Sequence, residues 1–417
     1  MRYLLVNHVP FFKSDKPGHV RMGDMWLEDL RAQARAIAGA GGQLIVSVPL
    51  TDVSDAAEAS GSFNLVDVRP EDQGFTYRPI VRYVSMKQYL LRVRQLRAQL
   101  RDAMRDVDVV QMGYGGYPVG LGQVVFPLAT KLGKKRIWIF DGGEPFVRLA
   151  QQADQMRNPA KRFIRRWMNR RFLEFCRNAI RTADLTFAHS DAPRQRFADV
   201  WNGKCYQFNR SFVTDDIILS DEDARAVEAR LLDRARPLRL VAAGRQVRIK
   251  ATDHVIRALA AARQRGARLE LDILGDGDEL PAYVALIKEL DLEPHVRVRG
   301  AVPYGEQLFN AWRECDVMVV TNLVQELSRN ILLAGARGLP LITYANPGSD
   351  AMLTAADAGW IVPNGNVDAL AEAFVQTDAN RPRLVELLHN ARRLAQTTTL
   401  DETHRRRAEL AAALVKR

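Results

Sequence analysis

The sequence holds only three cysteines, Cys176, Cys205 and Cys315, far apart and with no CxxC pair or neighbouring histidines. That excludes a disulfide framework and a thiolate metal site, and reduced, mostly buried thiols are expected. No apolar run approaches the roughly 18 residues of a membrane span, and the apolar stretch from Leu4 to Val6 is too short for a signal-peptide core. A cytoplasmic protein is the expectation. The chain also lacks a Walker lysine motif and a well-placed G-x-G-x-x-G, which disfavours an ATPase or an ordinary NAD dehydrogenase. Low-complexity tracts and short repeats are absent as well.

What is present is enough chain for two hydrophobic cores: 417 residues, 47% hydrophobic and 26% charged. The net charge of +11 is unevenly spread. Residues 1–212 carry 33 Lys and Arg against 20 Asp and Glu, whereas residues 213–417 carry 27 against 29. A uniformly basic chain would point to nucleic acid; one basic half beside a neutral half points to a single domain that meets a polyanionic surface or acidic acceptor.

Short β-branched runs alternate with helical segments throughout, the pattern of parallel sheets with crossover helices. Strands are expected at 3–9, 44–49, 64–68, 107–112, 136–140, 185–189 and 205–208, with helices at 24–39, 86–105 and 160–181 among others. The second half repeats the scheme, with strands at 238–243, 269–274, 296–299, 317–321, 341–344 and 360–362. Asp215 to Pro237 is rich in charge and reads as the linker, giving domains 1–214 and 215–399, with a last helix in 400–417 packing back on the first domain. Between the first strand and the first helix, His8 to Gly23 reads as a long loop.

In such sheets ligands bind beyond the carboxyl ends of the strands. In the second half those ends carry Gly244-Arg245-Gln246-Val247-Arg248-Ile249-Lys250, then Gly275-Asp276-Gly277, then Thr321-Asn322 followed by Glu326 and a helix beginning near Asn330. Cations, a glycine turn that admits close backbone approach, and a helix N-terminus at one sheet edge describe a diphosphate site. Each piece alone is a common surface feature; their order and spacing are what is specific.

On these residues the stretch 244–366 resembles the donor-binding domain of glycosyltransferase family 4, retaining enzymes of the GT-B type (glycosyl transferases group 1). The matching residues are Arg245 and Lys250, Leu274 to Gly277, Gly300 to Pro303, Gly338 and Pro340, then Gly348 and Asp350. The resemblance implies an α/β GT-B fold of two Rossmann-like domains with parallel sheets facing a central cleft, the N-terminal one for the acceptor and the C-terminal one for a nucleotide sugar. It implies metal-independent hexosyl transfer with retention to a glycan or polyprenyl-linked acceptor in surface polysaccharide synthesis, with no cofactor beyond the donor. Arg245 and Lys250 would neutralise the leaving diphosphate and Glu326 would hold the donor sugar. Asn330 and Ile331 would offer backbone N–H groups to the phosphates, Val302 would lie beside the base, and Gly244, Gly275, Asp276 and Gly277 would line the site. The family's second glutamate falls on Ala334, so modest nucleotide affinity is expected, and a glutamate restored there would tighten it if the pocket has room. A non-catalytic scaffold of the same fold and a nucleotide-sugar epimerase are the rival readings.

On the acceptor side, Asp141 at the end of a strand is the first choice for a group at the reacting sugar and Glu144 the second, against a turn or capping role. His8, His19 and Tyr114, the last in a Tyr-Gly-Gly-Tyr turn, are further candidates, with surface or packing roles as the alternative. Between Arg157 and Arg181 nine basic residues face Glu174 alone, interleaved with Phe163, Ile164, Trp167, Met168, Phe172 and Phe175. Such a helix either lies on an anionic membrane, making the protein peripheral on the inner face of the cell membrane, or packs its apolar stripe on the sheet with its arginines solvated. The sequence does not choose between them.

Overall fold

A computed structural model of the chain describes residues 1–52, 65–115, 119–140, 156, 158–189, 192–208, 211–324 and 328–416. The strands in chain order are β1 Arg2–Val6, β2 Phe11–Lys13, β3 Val20–Gly23, β4 Gln43–Ser47, β5 Leu50–Thr51, β6 Leu65–Val68, β7 Phe75–Tyr77, β8 Val109–Gly113, β9 Lys135–Phe140, β10 Leu185–Ala188, β11 Cys205–Gln207, β12 Leu238–Ala243, β13 Leu269–Leu274, β14 Val296–Gly300, β15 Val317–Val320, β16 Leu341–Tyr344 and β17 Trp360–Val362. They fold into two compact units, one of Met1–His189, Pro193–Asn209 and Leu400–Arg417, the other of Ser190–Ala192 and Arg210–Thr399. The main division thus falls at 209/210, where the sequence placed it at 214/215.

The first unit is built on a seven-stranded sheet of order β11-β10-β9-β8-β1-β4-β7, every pair parallel. Parallel strands need crossover helices, which cover both faces and leave the strands apolar on both sides. β1 illustrates this. Its Tyr3 and Leu5 pack with Leu27, Leu30 and Ile37 of the helix Asp24–Gly39. Leu4 and Val6 point the other way, into a core shared with the helices Met86–Ala103, Leu121–Lys131 and Pro159–Thr182.

The second unit repeats the design with a six-stranded sheet, β14-β13-β12-β15-β16-β17, again all parallel. Its core runs from Leu238 and Leu240 on β12 to Leu384 and Leu388 on the helix Arg381–Thr397. Two buried carboxylates brace this sheet. Asp316, fully buried, accepts from Arg230 Nε (3.0 Å), from both Nη atoms of Arg236 (3.1 and 2.7 Å) and from the Arg239 backbone N–H (2.7 Å). Asp272 is held in the same way by Arg297 at 2.8 and 2.7 Å, and the carboxylate next to it keeps the Arg297 guanidinium protonated beyond its ordinary range.

Several stretches differ from the sequence reading: β7 and the helix Arg381–Thr397 were not expected, and two supposed irregular segments hold regular structure. The supposed loop His8–Gly23 contains a hairpin, β2 antiparallel to β3, which joins β5 and β6 in a separate four-stranded sheet of order β5-β2-β3-β6. The expected strand at 64–68 belongs to this small sheet. Its Phe11, Val20 and Met22 are buried against the first unit's core, so the segment is held by apolar packing that its prolines and charges disguise. The supposed linker 215–237 holds the helix Asp221–Leu232, N-capped by the Ser220 hydroxyl (3.0 Å from the Asp223 N–H) and anchored by buried Ala224 and Leu231. It packs on Arg381–Thr397 and belongs to the second unit.

The last helix, Leu400–Val415, lies on the first unit against Asp24–Gly39, burying Ala408 and Ala411. His404 Nε2 stands 3.1 Å from Asp29 Oδ1 and Arg35 Nη2 2.7 Å from Asp401.

Replacing Asp316 by alanine removes the acceptor shared by two guanidinium groups and a strand N–H, leaving part-buried charge unpaired. The expected loss is about 3–5 kcal/mol of unfolding free energy, read from urea titration.

Candidate functional site

In each main sheet the chain starts at a central strand, builds to one side, then returns to build the other. The strand order reverses between β12 and β15 in the second unit, and the crevice at the carboxyl ends of these two strands is where open α/β sheets hold ligands. Both strand ends carry the loops singled out in the sequence.

β12 is followed by Gly244, whose φ of 136° is open to glycine and strained for other residues. The loop then turns against the one after β13. Gly244 donates its N–H to Leu274 O (3.0 Å), and Gln246 donates its N–H to Asp276 O (2.9 Å). Gly275 has φ 115°, and a Cβ there would overlap the Gly244 carbonyl; a Cβ at Gly277 would overlap the carbonyl of Gln246. These two glycines are required because two backbones touch.

Gln246 is the knot. It is buried; its Nε2 donates to Gly244 O and Leu274 O, both at 2.9 Å, while its Oε1 accepts from Thr252 Oγ1 at 2.8 Å. Thr252 opens the helix Thr252–Gln264 just after Ala251, which sits in the left-handed region at φ 48°. On the other side Thr321 Oγ1 donates to Lys250 O at 2.7 Å and Leu323 donates its N–H to Ile249 O at 2.9 Å. The loop 244–251 is therefore pinned to both flanking loops, and Gly275 donates its N–H to Gly300 O (2.6 Å) to bring in the loop after β14, where half-buried Val302 lies.

On this pinned loop Arg245 and Arg248 are exposed and make no ion pair among the described residues, and Lys250 is half-buried in the short turn Arg248–Lys250. Asp276, also exposed, accepts from the Gly277 N–H at 2.7 Å. Asn330 lies at the start of the helix Arg329–Ala336, and its side-chain Nδ2 donates to Ala243 O at 2.7 Å, tying that helix to the end of β12. The Ile331 N–H, expected to be offered to a ligand, donates to Ser328 O at 3.2 Å. Glu326, Asp141 and Glu144 lie outside the described residues, as do Gly116 and Tyr117.

Gln246 and Asn322, named in the sequence only as members of their loops and given no role, stand out here. Gln246 gave no signal, because glutamine in a charged loop reads as solvated. Asn322, just beyond β15, is buried, and its Nδ2 has no hydrogen-bond partner among the described residues, while its backbone carbonyl accepts from Asn364 Nδ2 at 3.2 Å. A buried amide donor left unpaired costs about 1–3 kcal/mol unless something else accepts from it. Unpaired cations and an unpaired donor at one strand end suit an anionic ligand rich in acceptor oxygens.

On the first unit the order reverses between β1 and β8. Tyr114 follows β8, but its ring packs on Phe140 and Phe172, at 6.3 and 6.2 Å between centroids, so it serves the core. His19 sits in the β2–β3 hairpin, with Nδ1 3.2 Å from Pro17 O, and is not among the residues lining a cavity with Tyr114; His8 is. Ala334 is fully buried on the helix Arg329–Ala336, which packs on Arg381–Thr397. A carboxylate placed there would start from a fully buried position, so the gain expected from restoring a glutamate competes with the cost of burying it.

Residues 237–380 match the family model described as Glycosyl transferases group 1. Among curated proteins the chain is 25% identical over 168 residues to the amylovoran biosynthesis glycosyltransferase AmsK of Erwinia amylovora, covering 39% of this chain and 41% of that protein. It is 24% identical over 155 residues to the putative colanic acid biosynthesis glycosyltransferase WcaL of Escherichia coli, covering 35% and 38%. The chain thus matches less than half the length of either relative. Solved structures share the fold over the whole chain: HepE of Anabaena in complex with UDP, with TM-score 0.67 at 17% identity, covering 99% of this chain and 100% of that one, and WaaG, a glycosyltransferase involved in lipopolysaccharide biosynthesis, with TM-score 0.60 at 15% identity, covering 98% of both. The fold is that of the GT-B glycosyltransferases.

Ala334→Glu is expected to bury a carboxylate with no partner, lowering the thermal midpoint by several degrees without tightening nucleotide binding. Differential scanning fluorimetry with and without UDP reads both effects.

Proposed function

We propose that the chain, whose residues 237–380 match the model of glycosyl transferases group 1, moves a hexosyl group from a nucleotide-diphosphate sugar to a glycan or lipid-linked acceptor in polysaccharide synthesis. The second unit takes the donor and the first unit the acceptor. The observation that carries this reading is the loop 244–251, which sits at the β12/β15 reversal, is fixed on both sides by Gln246 and Thr321, and bears the unpaired Arg245 and Arg248 with Lys250. The structural neighbour HepE has been solved with UDP and with UDP-glucose, which makes a uridine nucleotide the first donor to test.

The chemistry follows from charge. As the bond from the anomeric carbon to the diphosphate oxygen breaks, positive charge grows on the sugar and negative charge on the leaving group. Arg245 and Lys250 meet that negative charge from a loop that need not rearrange, and they do so without a metal. Asn322 supplies a neutral donor beside them. The transfer proceeds with retention, with Glu326 on the donor sugar and Asp141 at the reacting face.

The acceptor is held at an anionic membrane. In the helix Pro159–Thr182 only Cys176, Ala179 and Ile180, near its end, are buried, whereas Phe163, Ile164 and Trp167 are 71%, 55% and 57% exposed. The two readings of this segment therefore divide along its length, the last turns in the core and the first turns turned outward among Lys161, Arg162, Arg165 and Arg166. Leu90 and Leu91, near the start of Met86–Ala103, are exposed too. No helix among the described residues is long and apolar enough to cross a membrane; the attachment proposed is peripheral, on the cytoplasmic leaflet.

With UDP-glucose as donor, Arg245→Ala and Lys250→Ala each lower turnover about 100-fold or more while the far-ultraviolet circular dichroism stays unchanged. Near-normal rates in both would remove the phosphate site; UDP binding with no turnover or donor hydrolysis in the wild type would make the chain a non-catalytic relative.

Changing Arg162, Arg165, Arg166 and Arg170 together to glutamate abolishes sedimentation with phosphatidylglycerol-containing liposomes. Each cation near such a surface contributes about 1 kcal/mol, and binding weakens as salt shortens the roughly 8–10 Å screening length. Equal sedimentation of both proteins would return the helix to a solvated role.

A further inference from the structure

The first unit has its own strand-order reversal, between β1 and β8, and a cavity of about 40 Å³ opens there, lined by Asn7, His8, Gln111, Gly113, Tyr114 and Gly115 among others. That volume holds one or two water-sized polar groups, so a sugar ring does not fit but a hydroxymethyl or ring hydroxyl does.

The polar wall is built in. Asn7 Oδ1 accepts from the N–H groups of His8 (2.7 Å) and Val9 (3.3 Å), which fixes the backbone as it leaves β1 and places the His8 imidazole. Gly115 lies against that ring: a Cβ at 115 would occupy the position of the imidazole Nδ1. Glycine at 115 therefore gives His8 its place.

Gln111 is buried on β8, and its Oε1 accepts from the Tyr3 hydroxyl and, at 3.0 Å, from Arg407 Nη2. Arginine has only donors, and burial keeps the Tyr3 hydroxyl protonated far above its ordinary range. The oxygen end of the amide is thus fully engaged, and its Nε2 is the donor left for the cavity. Arg407 comes from the last helix, Leu400–Val415, and its guanidinium also lies over the Phe187 ring at 5.3 Å.

We propose that this cavity binds a hydroxyl group of the sugar acceptor, with the His8 imidazole and Gln111 Nε2 as its partners, and that Arg407 is a positioning residue that sets the Gln111 amide. The proposal rests on the reading of the chain as a glycosyltransferase and gives its last helix a part in acceptor recognition.

The test uses the full chain and two ligands measured apart: UDP by calorimetry, and the methyl glycosides of glucose, galactose and mannose by saturation-transfer NMR. At least one glycoside binds the wild type, and His8→Ala and Gly115→Ala each weaken it about 10-fold or abolish its signal while UDP affinity is unchanged. Arg407→Leu weakens the same glycoside and Arg407→Lys, which keeps a donor toward Gln111, restores part of the binding, a rescue that a purely structural role would not give. Glycoside binding that is unaltered in both the His8 and Gly115 variants, or absent from the wild type, overturns the proposal. A wild type that binds the glycoside and loses it in the variants, yet fails to bind UDP, overturns the donor reading and leaves the cavity standing.

Discussion

The second unit of this protein depends on one side chain's hydrogen bonds. Gln246 joins the carbonyl ends of β12 and β13 through its amide N–H groups and the start of the helix Thr252–Gln264 through its oxygen. Loops between strands and helices are ordinarily the softest parts of an α/β domain. Here the loop carrying Arg245 and Lys250 is as constrained as a turn inside a helix, because Thr321 and Leu323 hold its far side. A fixed loop matters for charge stabilisation, since cations that need no reorganisation as the leaving group charges are worth more than the same cations on mobile arms.

The same contact explains the glycines. A glycine-rich turn in a sequence invites a phosphate cradle as its cause, yet Gly275 and Gly277 are required here by the carbonyls of Gly244 and Gln246. The close approach is protein on protein, and a ligand benefits at second hand, from the rigidity that results. The buried carboxylates Asp316 and Asp272 act in a similar way on the strands beneath, each gathering several arginines so that the sheet carrying these loops has fixed ends.

Much of this architecture was legible. The expected strands at 238–243, 269–274, 341–344 and 360–362 coincide with β12, β13, β16 and β17: the last two are short apolar runs, and the first two keep enough of that pattern around Arg239, Glu270 and Asp272 to be read. Legibility failed where the burial is one-sided or supplied by few residues. The β2–β3 hairpin shows only Phe11, Phe12, Val20 and Met22 among lysines, an aspartate and a Pro-Gly turn, and so reads as loop. The helix Asp221–Leu232 hides behind its charge, since two buried side chains and a serine cap suffice to hold it. Arg381–Thr397 was missed as well; its first residue is a buried arginine whose guanidinium donates to the carbonyls of Asp233 and Arg236, a packing role that composition assigns to the surface. At the site, glycines and cations carry recognisable spacing, whereas Gln246, Asn322 and His8 do their work through burial or proximity, which leave no periodic mark.

Charge is held differently in the two halves of the chain. The second half of the chain is nearly neutral, so no long-range field draws an anion to it, and at physiological salt any field would fade within about 8 Å. Selection has to be local. Arg230, Arg236, Arg239, Arg297 and Arg299 are held by Asp316 or Asp272, so their charge is already satisfied within the fold. Arg245 and Arg248 have no such partner among the described residues, and they stand on the one loop that is fixed at the reversal of the sheet. In the first unit the excess positive charge is instead carried outward, on the opening turns of Pro159–Thr182 beside exposed Phe163 and Trp167, where a broad surface and not a single ligand is the fitting counter-charge. Under the proposed function the two halves treat anions by opposite means: the second selects a compact one at short range, and the first meets an extended one over many weak contacts.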